Sequence, residues 1–264
     1  MILFEPYIWS SSYLISHCQP SYNSFILIQF TDTKQGSNLF SGTIPIELGN
    51  GRLFKRGAKE AKLLKFFRMS DNALEGELPQ FNNFPFLKEI DISSNKIDGT
   101  LPISIGNLPA LSLFYVQNNE IKGTIPSQLG NLAFLKEISF GNNQLNGSIP
   151  TELGQLDTLE RMDLENNDLE GSLPSEMGNL GLLVVLNLTN NKIEGSIPSE
   201  VGSITTLEVF DVSSNNIIGS IPSEIGTLTA LTALNIEDNG INGTLPTEIG
   251  NLQSLGSLDV GKFV

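Results

Sequence analysis

The sequence predicts a repeat solenoid in which short coils stack side by side. Two phrases recur with a fixed period, and a period of this size is typical of stacked coils. The first phrase contains Gly and Pro and recurs every 24 residues, at 123–132, 147–156, 171–180, 195–204, 219–228 and 243–252. The second has the pattern LxxLxLxxNxL and lies between the copies of the first, as in Leu159, Met162, Leu164, Asn167 and Leu169. A solenoid offers an extended surface, which favours binding over catalysis.

One coil, residues 111–132, shows how the repeat folds. Apolar residues alternate with other residues around Phe114 and Val116, which predicts a β-strand whose inner face carries these two side chains. We expect Leu129 and Leu132 to return and close the core. One coil cannot bury its apolar face alone, so the strands should stack about 4.8 Å apart into a parallel sheet, about 40 Å wide for nine coils.

An asparagine leaves each predicted strand at the same position of the repeat. Asn suits a turn, and its amide can bond backbone groups of the neighbouring coils. We therefore expect an internal ladder of Asn72, Asn95, Asn119, Asn143, Asn167, Asn191, Asn215 and Asn239. Gly123 marks a tight backbone position. Pro126 cannot donate a ladder hydrogen bond, which indicates that the arm of the coil returning from the strand is irregular or at a sheet edge.

Together the phrases LxGxIPxxLGxL and LxxLxLxxNxL resemble the plant-type leucine-rich repeat family over about residues 38–260. The resemblance implies an α/β-type leucine-rich repeat solenoid, a curved right-handed coil with a parallel β-sheet on its concave face and irregular or 3-10 convex arms. In that family such solenoids are ectodomains of receptor-like kinases, receptor-like proteins and secreted inhibitors, and similar repeats occur in algal proteins. Their usual activity is recognition of peptides, proteins or other surfaces, at the cell surface or outside the cell.

Composition limits the function classes. The chain has one Cys and one His, Cys18 and His17, and both precede the repeats. This excludes a disulfide framework, a zinc site and a Ser-His or Cys-His relay within the array. Residues 51–68 contain seven basic residues and one acidic residue, a net charge of +6, whereas residues 69–264 carry −18. An array this acidic repels nucleic acid.

Four regions depart from the repeat. Residues 1–37 form an irregular segment, which we interpret as a degenerate cap, a weak leader or an error in the gene start. It lacks a basic start, and Glu5, Pro6 and His17 interrupt its apolar stretches. In the predicted solenoid of residues 38–264, a basic insertion lies near 51–60 and is read as a solvated loop, a docking site for an anionic partner or a retained intron.

The coil from Asn72 to Asn95 has 23 residues, and Asn82 and Asn83 replace the usual Leu-Gly pair, so we expect a distorted coil. At the other end Phe263 stands where a ladder Asn would fall. The sequence also lacks the flanking Cys pairs of the family. These departures suggest either a divergent relative or a fragment. A fragment would leave open a missing membrane helix or kinase domain.

We predict that a protein or peptide, with a preference for basic character, binds the outward side chains of the concave sheet. Aromatic residues supply contact energy and carboxylates select basic partners. The predicted contact residues are Phe66, Arg68, Glu89, Asp91, Leu113, Tyr115, Glu137, Arg161, Asp163, Glu165, Val185, Asn187, Val209 and Asp211. For any one of these residues, a solubilising role is the alternative interpretation.

We expect no enzyme, cofactor or metal site. Glu137, Asp163 and Glu165 lie on adjacent predicted strands, at a separation like that of glycosidase acids, but the sequence indicates no burial that would raise the pKa of one of them. A flat sheet also offers too few oxygens to bind calcium.

Three sequons, at Asn146, Asn187 and Asn242, could carry glycans in a secreted protein. The main alternative to a recognition module is an intracellular structural or scaffolding repeat protein, which the scarcity of Cys favours.

Overall fold

The computed structural model describes residues 40–44, 46, 48, 64–82 and 84–261. The irregular segment 1–37, the insertion near 51–60 and Phe263 lie outside these residues. Across the described part of the chain, the predicted solenoid is present as strands, 3-10 helices and turns that repeat coil by coil.

The largest sheet has nine parallel strands within the described residues, and each strand pairs with those of the preceding and following coils. Its strands are β2 (Phe66–Arg68), β4 (Glu89–Asp91), β6 (Leu113–Tyr115), β8 (Glu137–Ser139), β10 (Arg161–Asp163), β12 (Val185–Asn187), β14 (Val209–Asp211), β16 (Ala233–Asn235) and β18 (Ser257–Asp259). The pairing follows the sequence period, since Leu113, Glu137 and Arg161 are successive partners. We call this the concave sheet.

A second set of short parallel strands follows the asparagine turns. It consists of β1 (Ser41–Thr43), β3 (Ala73–Glu77), β5 (Lys96–Asp98), β7 (Lys122–Thr124), β9 (Gln144–Gly147), β11 (Asp168–Leu169), β13 (Glu194–Gly195), β15 (Asn216–Gly219) and β17 (Gly240–Ile241). β1 and β3 pair 32 residues apart, and β7 and β9 pair 22 residues apart. The ten additional residues between β1 and β3 therefore leave the pairing pattern unchanged.

Among the described residues, seven proline phrases each form a 3-10 helix that begins directly after the proline. The helices are Ile103–Asn107, Ser127–Asn131, Thr151–Gln155, Ser175–Asn179, Ser199–Ser203, Ser223–Thr227 and Thr247–Asn251. The proline keeps an extended conformation, with φ −67° and ψ 129° at Pro126, which suits its restricted φ. The convex arms are therefore 3-10 helices, as expected.

The core is a continuous stack of apolar side chains between the concave sheet and the 3-10 helices. Phe114, Val116, Leu129 and Leu132 are at most 1% exposed, so the predicted inward faces are confirmed. The rings of Phe114 and Phe140 pack edge to face, with centroids 5.0 Å apart.

The predicted asparagine ladder is present at all eight positions. Asn167 is representative. Its Oδ1 accepts the N–H of Leu145 in the preceding coil at 2.9 Å. Its Nδ2 donates to the carbonyls of Phe140 and Leu164, both at 3.1 Å. The ladder thus satisfies buried polar groups and links each coil to its neighbour.

The coil that carries Asn82 is distorted, as predicted, because no 3-10 helix forms among its described residues. Phe81 and Phe84 fill the core there, at 1% and 2% exposure, and Phe81 packs edge to face on Phe67. The N–H of Phe81 donates to Oγ of buried Ser104 at 2.8 Å. A side chain of the next coil thereby satisfies a backbone group that a regular coil would pair differently.

Candidate functional site

The fourteen predicted contact residues all lie on the outward side of the concave sheet or directly after its strands. All except Glu89 are at least partly exposed. Glu89 is 7% exposed, so its side chain is largely closed to a partner.

A paired cluster lies at the β2 end of the sheet. Arg68 and Glu89 form a two-pronged ion pair, with Nε–Oε1 and Nη2–Oε2 distances of 2.5 and 2.6 Å. The guanidinium also lies 4.7 Å from the ring centre of Phe66, which is 45% exposed. Arg68 and Glu89 were predicted as separate contacts, whereas the structure pairs them and leaves Phe66 as the most exposed member of the cluster.

The next aromatic side chain on the sheet is also held in place. Tyr115 Oη donates to Oε2 of Glu137 at 2.6 Å. Burial, followed by this hydrogen bond and the Glu137 charge, raises the pKa of Tyr115 above its usual value of 10.0. Tyr115 therefore remains a neutral phenol, and its fixed ring offers contact area at little entropic cost.

An open depression of about 500 Å³ adjoins Tyr115, and Gln117, Gly141, Asp163 and Glu165 are among the residues that line it. Gly141 leaves room for the side chain of Glu165, because a Cβ at Gly141 would lie 2.8 Å from Glu165 Cγ. Gln117 Oε1 is buried and has no hydrogen-bond partner among the described residues.

Asp163 corrects one expectation, because burial does raise the pKa of a carboxyl on this face. Burial is the largest cause and the charge of Glu165 is the next. Arg161 opposes the shift through an ion pair at 3.3 Å. The other two carboxylates hold hydrogen bonds, since Glu137 accepts from Tyr115 and Glu165 accepts from the Nδ2 of Asn187 at 2.9 Å.

Several Asp and Asn side chains of the sheet serve the turn that follows each strand. Oδ1 of Asp211 accepts from the N–H and the hydroxyl of Ser213, at 3.0 and 2.6 Å. Asp91 does the same with Ser93. This role was not predicted, although the spacing Asp-x-Ser is a signal for an Asx-type turn. One oxygen of each of these carboxylates is therefore committed to the fold.

An apolar strip crosses the later part of the sheet. Val185, Val209 and Ala233 are direct neighbours on β12, β14 and β16, and each is half-buried. Asn187 and Asp211 lie beside this strip. The described sheet thus carries apolar and acidic positions along a continuous surface.

The three sequons differ in access. Asn146 and Asn242 are exposed. Asn187 is half-buried, its Nδ2 donates to Glu165, and its Oδ1 accepts from the hydroxyl of Thr189.

Among the residues that the structure describes, no group of three or more His, Cys, Asp or Glu is placed to hold a metal ion. No described helix has the length and hydropathy that crossing a bilayer requires.

Comparisons with known proteins agree with this geometry. A family model described as a leucine-rich repeat region matches residues 162–263, and the Leucine Rich Repeat model matches 86–108 and 134–156. The comparison with curated proteins finds no match.

Several solved structures are similar to this chain in both sequence and fold. The LRR ectodomain of the membrane receptor kinase GASSHO1/SCHENGEN3 from Arabidopsis thaliana, in complex with CASPARIAN STRIP INTEGRITY FACTOR 2, is 37% identical with a TM-score of 0.77, over 84% of this chain and 26% of that one. PEPR1 with AtPEP1 is 35% identical with a TM-score of 0.77, over 83% and 30%. A plant ice-binding protein is 29% identical with a TM-score of 0.65, over 82% and 68%.

The stacked sheet, the asparagine ladder and these matches define a leucine-rich repeat protein. The chain belongs to the plant-type leucine-rich repeat family. It spans about a quarter to a third of the length of the receptor ectodomains described above.

Proposed function

We propose that this protein is a non-enzymatic recognition module that binds a peptide or an extended protein segment along the concave sheet, in a receptor-like or secreted setting. The observation that carries the proposal is the outward face itself, where half-buried apolar side chains and acidic side chains lie side by side over consecutive strands. Similar ectodomains have been solved with CASPARIAN STRIP INTEGRITY FACTOR 2 and AtPEP1, which supports this class of function.

The chemistry of the face favours a ligand with apolar and basic side chains. Leu113 and Tyr115 form one apolar position, and Val185, Val209 and Ala233 form another. The carboxylates of Asp91, Glu165 and Asp211 lie around and between these positions. Apolar contact would supply most of the affinity, whereas the acidic groups would favour basic partners and speed their association.

A hydrolase is the less favoured alternative, even though Asp163 has a raised pKa. A glycosidase needs a second carboxylate free to act as base or nucleophile. Near Asp163, Glu165 accepts hydrogen bonds from Asn187 and Asn142, and Glu137 accepts one from Tyr115. These carboxylates are held by their neighbours, which suits a binding surface better than a catalytic pair.

Selection from a phage-displayed random peptide library tests the proposal. We expect the selected peptides to be enriched in Arg or Lys together with apolar residues. Tyr115→Ala and Val209→Lys should each weaken their binding about ten-fold or more. Ile218→Ser is the matched control, because Ile218 is 57% exposed and lies on β15, outside the concave sheet. Peptides that bind both concave variants as tightly as the original protein would refute the proposal.

A further inference from the structure

One lateral edge of the solenoid carries a row of exposed apolar side chains that the concave site does not use. Phe86, Phe134 and Leu182 are 50%, 62% and 50% exposed. They occupy equivalent positions, two coils apart, at the turn that precedes each strand of the concave sheet. Apolar side chains scattered singly over a soluble surface need no partner, but an aligned row of large ones along one edge favours contact with a partner.

Small residues separate these large ones. Ala110 lies at the equivalent position between Phe86 and Phe134, and Thr158 lies between Phe134 and Leu182. The Thr158 hydroxyl is turned onto the preceding coil, where it donates to the carbonyls of Leu135 and Ala133 at 2.9 and 3.2 Å. The edge is therefore corrugated, with two shallow grooves whose centres are two coils, or about 10 Å, apart.

Lysines follow the same edge. The segment Phe-Leu-Lys-Glu-Ile occurs twice, at 86–90 and 134–138, and places an exposed Lys88 or Lys136 two residues after each phenylalanine. Lys65 occupies the equivalent position on the preceding coil. Neither Lys65 nor Lys88 forms an ion pair with any residue that the structure describes, whereas Lys136 pairs with Glu160 at 2.6 Å.

We propose that this edge, defined by Phe86, Lys88, Phe134, Lys136 and Leu182, docks an acidic amphipathic helix of a protein partner. Apolar side chains seven residues apart on a helix are separated by about 10 Å, which matches the spacing of the two grooves. Lys88, with Lys65 on the preceding coil, complements acidic side chains beside that apolar stripe, whereas Lys136 already pairs with Glu160.

A designed probe makes the proposal testable. The probe is a fluorescein-labelled, hydrocarbon-stapled peptide with leucine at positions i, i+3 and i+7 and glutamate elsewhere. Fluorescence anisotropy with the full chain should show saturable binding. A scrambled peptide with its leucines spread around the helix, and a peptide with lysine in place of glutamate, should each bind at least about ten-fold more weakly.

Variants locate the site. Phe134→Ser and the double variant Lys88→Glu/Lys136→Glu should each weaken binding about ten-fold or more. Ile218→Ser has a similarly exposed side chain on another surface and should leave binding unchanged. Tyr115→Ala on the concave sheet should also leave the affinity for the stapled peptide unchanged. Thermal unfolding monitored by circular dichroism confirms that each variant is folded.

Other occupants would overturn the proposal. Binding of the scrambled peptide with equal affinity, or binding insensitive to Phe134→Ser, would show that the edge does not select an amphipathic helix. Dimerisation in sedimentation velocity that Phe134→Ser abolishes would identify a second copy of this chain as the occupant. Co-sedimentation with phosphatidylserine vesicles that depends on Phe134, without binding of the stapled peptide, would identify a lipid surface.

Discussion

The interior coils and the last described coil have nearly the same local conformation but very different burial. Leu234 and Leu258 occupy the same inward position on adjacent strands, yet they are 1% and 38% exposed. The last coil still forms its 3-10 helix, Thr247–Asn251, and its strand β18. Local sequence therefore sets the shape of a coil, and the coil that stacks on it supplies the burial.

Glycines in the proline phrase show the same contrast. A Cβ at Gly226 would lie 2.5 Å from the carbonyl oxygen of Glu248 in the next coil, whereas a Cβ at Gly250 would meet no heavy atom within 4 Å among the described residues. The glycine has no positive φ at these positions, so its requirement comes from close approach between coils. It sets how tightly two 3-10 helices can stack.

Removing an interior core side chain gives the largest expected effect. Leu164 is fully buried, so Leu164→Ala should lower the free energy of unfolding by about 2–5 kcal/mol through lost burial and a residual cavity. Leu258→Ala is the matched variant on the last described coil and should cost about 1 kcal/mol, because Leu258 is already partly in water.

Urea denaturation of the two variants measures this difference. Equal destabilisation would mean that the outer face of β18 is covered in solution. A negligible effect of Leu164→Ala would mean that the inward and outward faces of the strand are reversed.

A smaller effect is expected from adding one methyl group between coils. Gly226→Ala should destabilise the protein by about 1–3 kcal/mol, because the new Cβ must push away a backbone carbonyl of the next coil. Gly250→Ala should be neutral or slightly stabilising, because alanine favours helical backbone and meets nothing. Thermal unfolding of both variants tests this prediction, and equal shifts in Tm would remove close approach as the reason for this glycine.

The repetitive features of the fold could be predicted because each depends on residues at a fixed spacing. Phe114 and Val116 alternate in a strand pattern, and their burial follows from that pattern alone. Asn167 and its equivalents recur at the end of each strand, so their ladder could be predicted as well. Gly123 marks a tight position, and its φ of 78° confirms this.

Features that depend on contacts between particular coils could not be predicted. Glu89 was expected at the surface, but the bidentate contact with Arg68 on the adjacent strand buries it. The residue before each ladder asparagine adopts a left-handed conformation, as at Asn166 with φ 52°, and this turn chemistry was missed. The exposure of Phe86 and Phe134 was also missed, because a 24-residue period does not show which side chains the arms leave uncovered.

The smallest expected effect concerns the charge of one half-buried carboxylate. Burial and the neighbouring Glu165 raise the pKa of Asp163 above its usual value of 3.8 in the folded protein. Between the unfolded and folded pKa values of Asp163, the native state binds more protons than the unfolded state. The free energy of unfolding that this carboxyl contributes therefore falls as pH rises through that window.

Asp163→Asn removes the charge and keeps an oxygen that can accept the N–H of Glu165, as Asp163 does. The variant should therefore be more stable than the original protein at about pH 7, and the gain should disappear at about pH 3, where the aspartate is protonated in both states. Urea denaturation at both pH values measures the gain, with Asp157→Asn, an exposed position on the same coil, as the control. A loss of stability at about pH 7 would show that the contact of Asp163 with Arg161 outweighs the cost of burying the carboxylate.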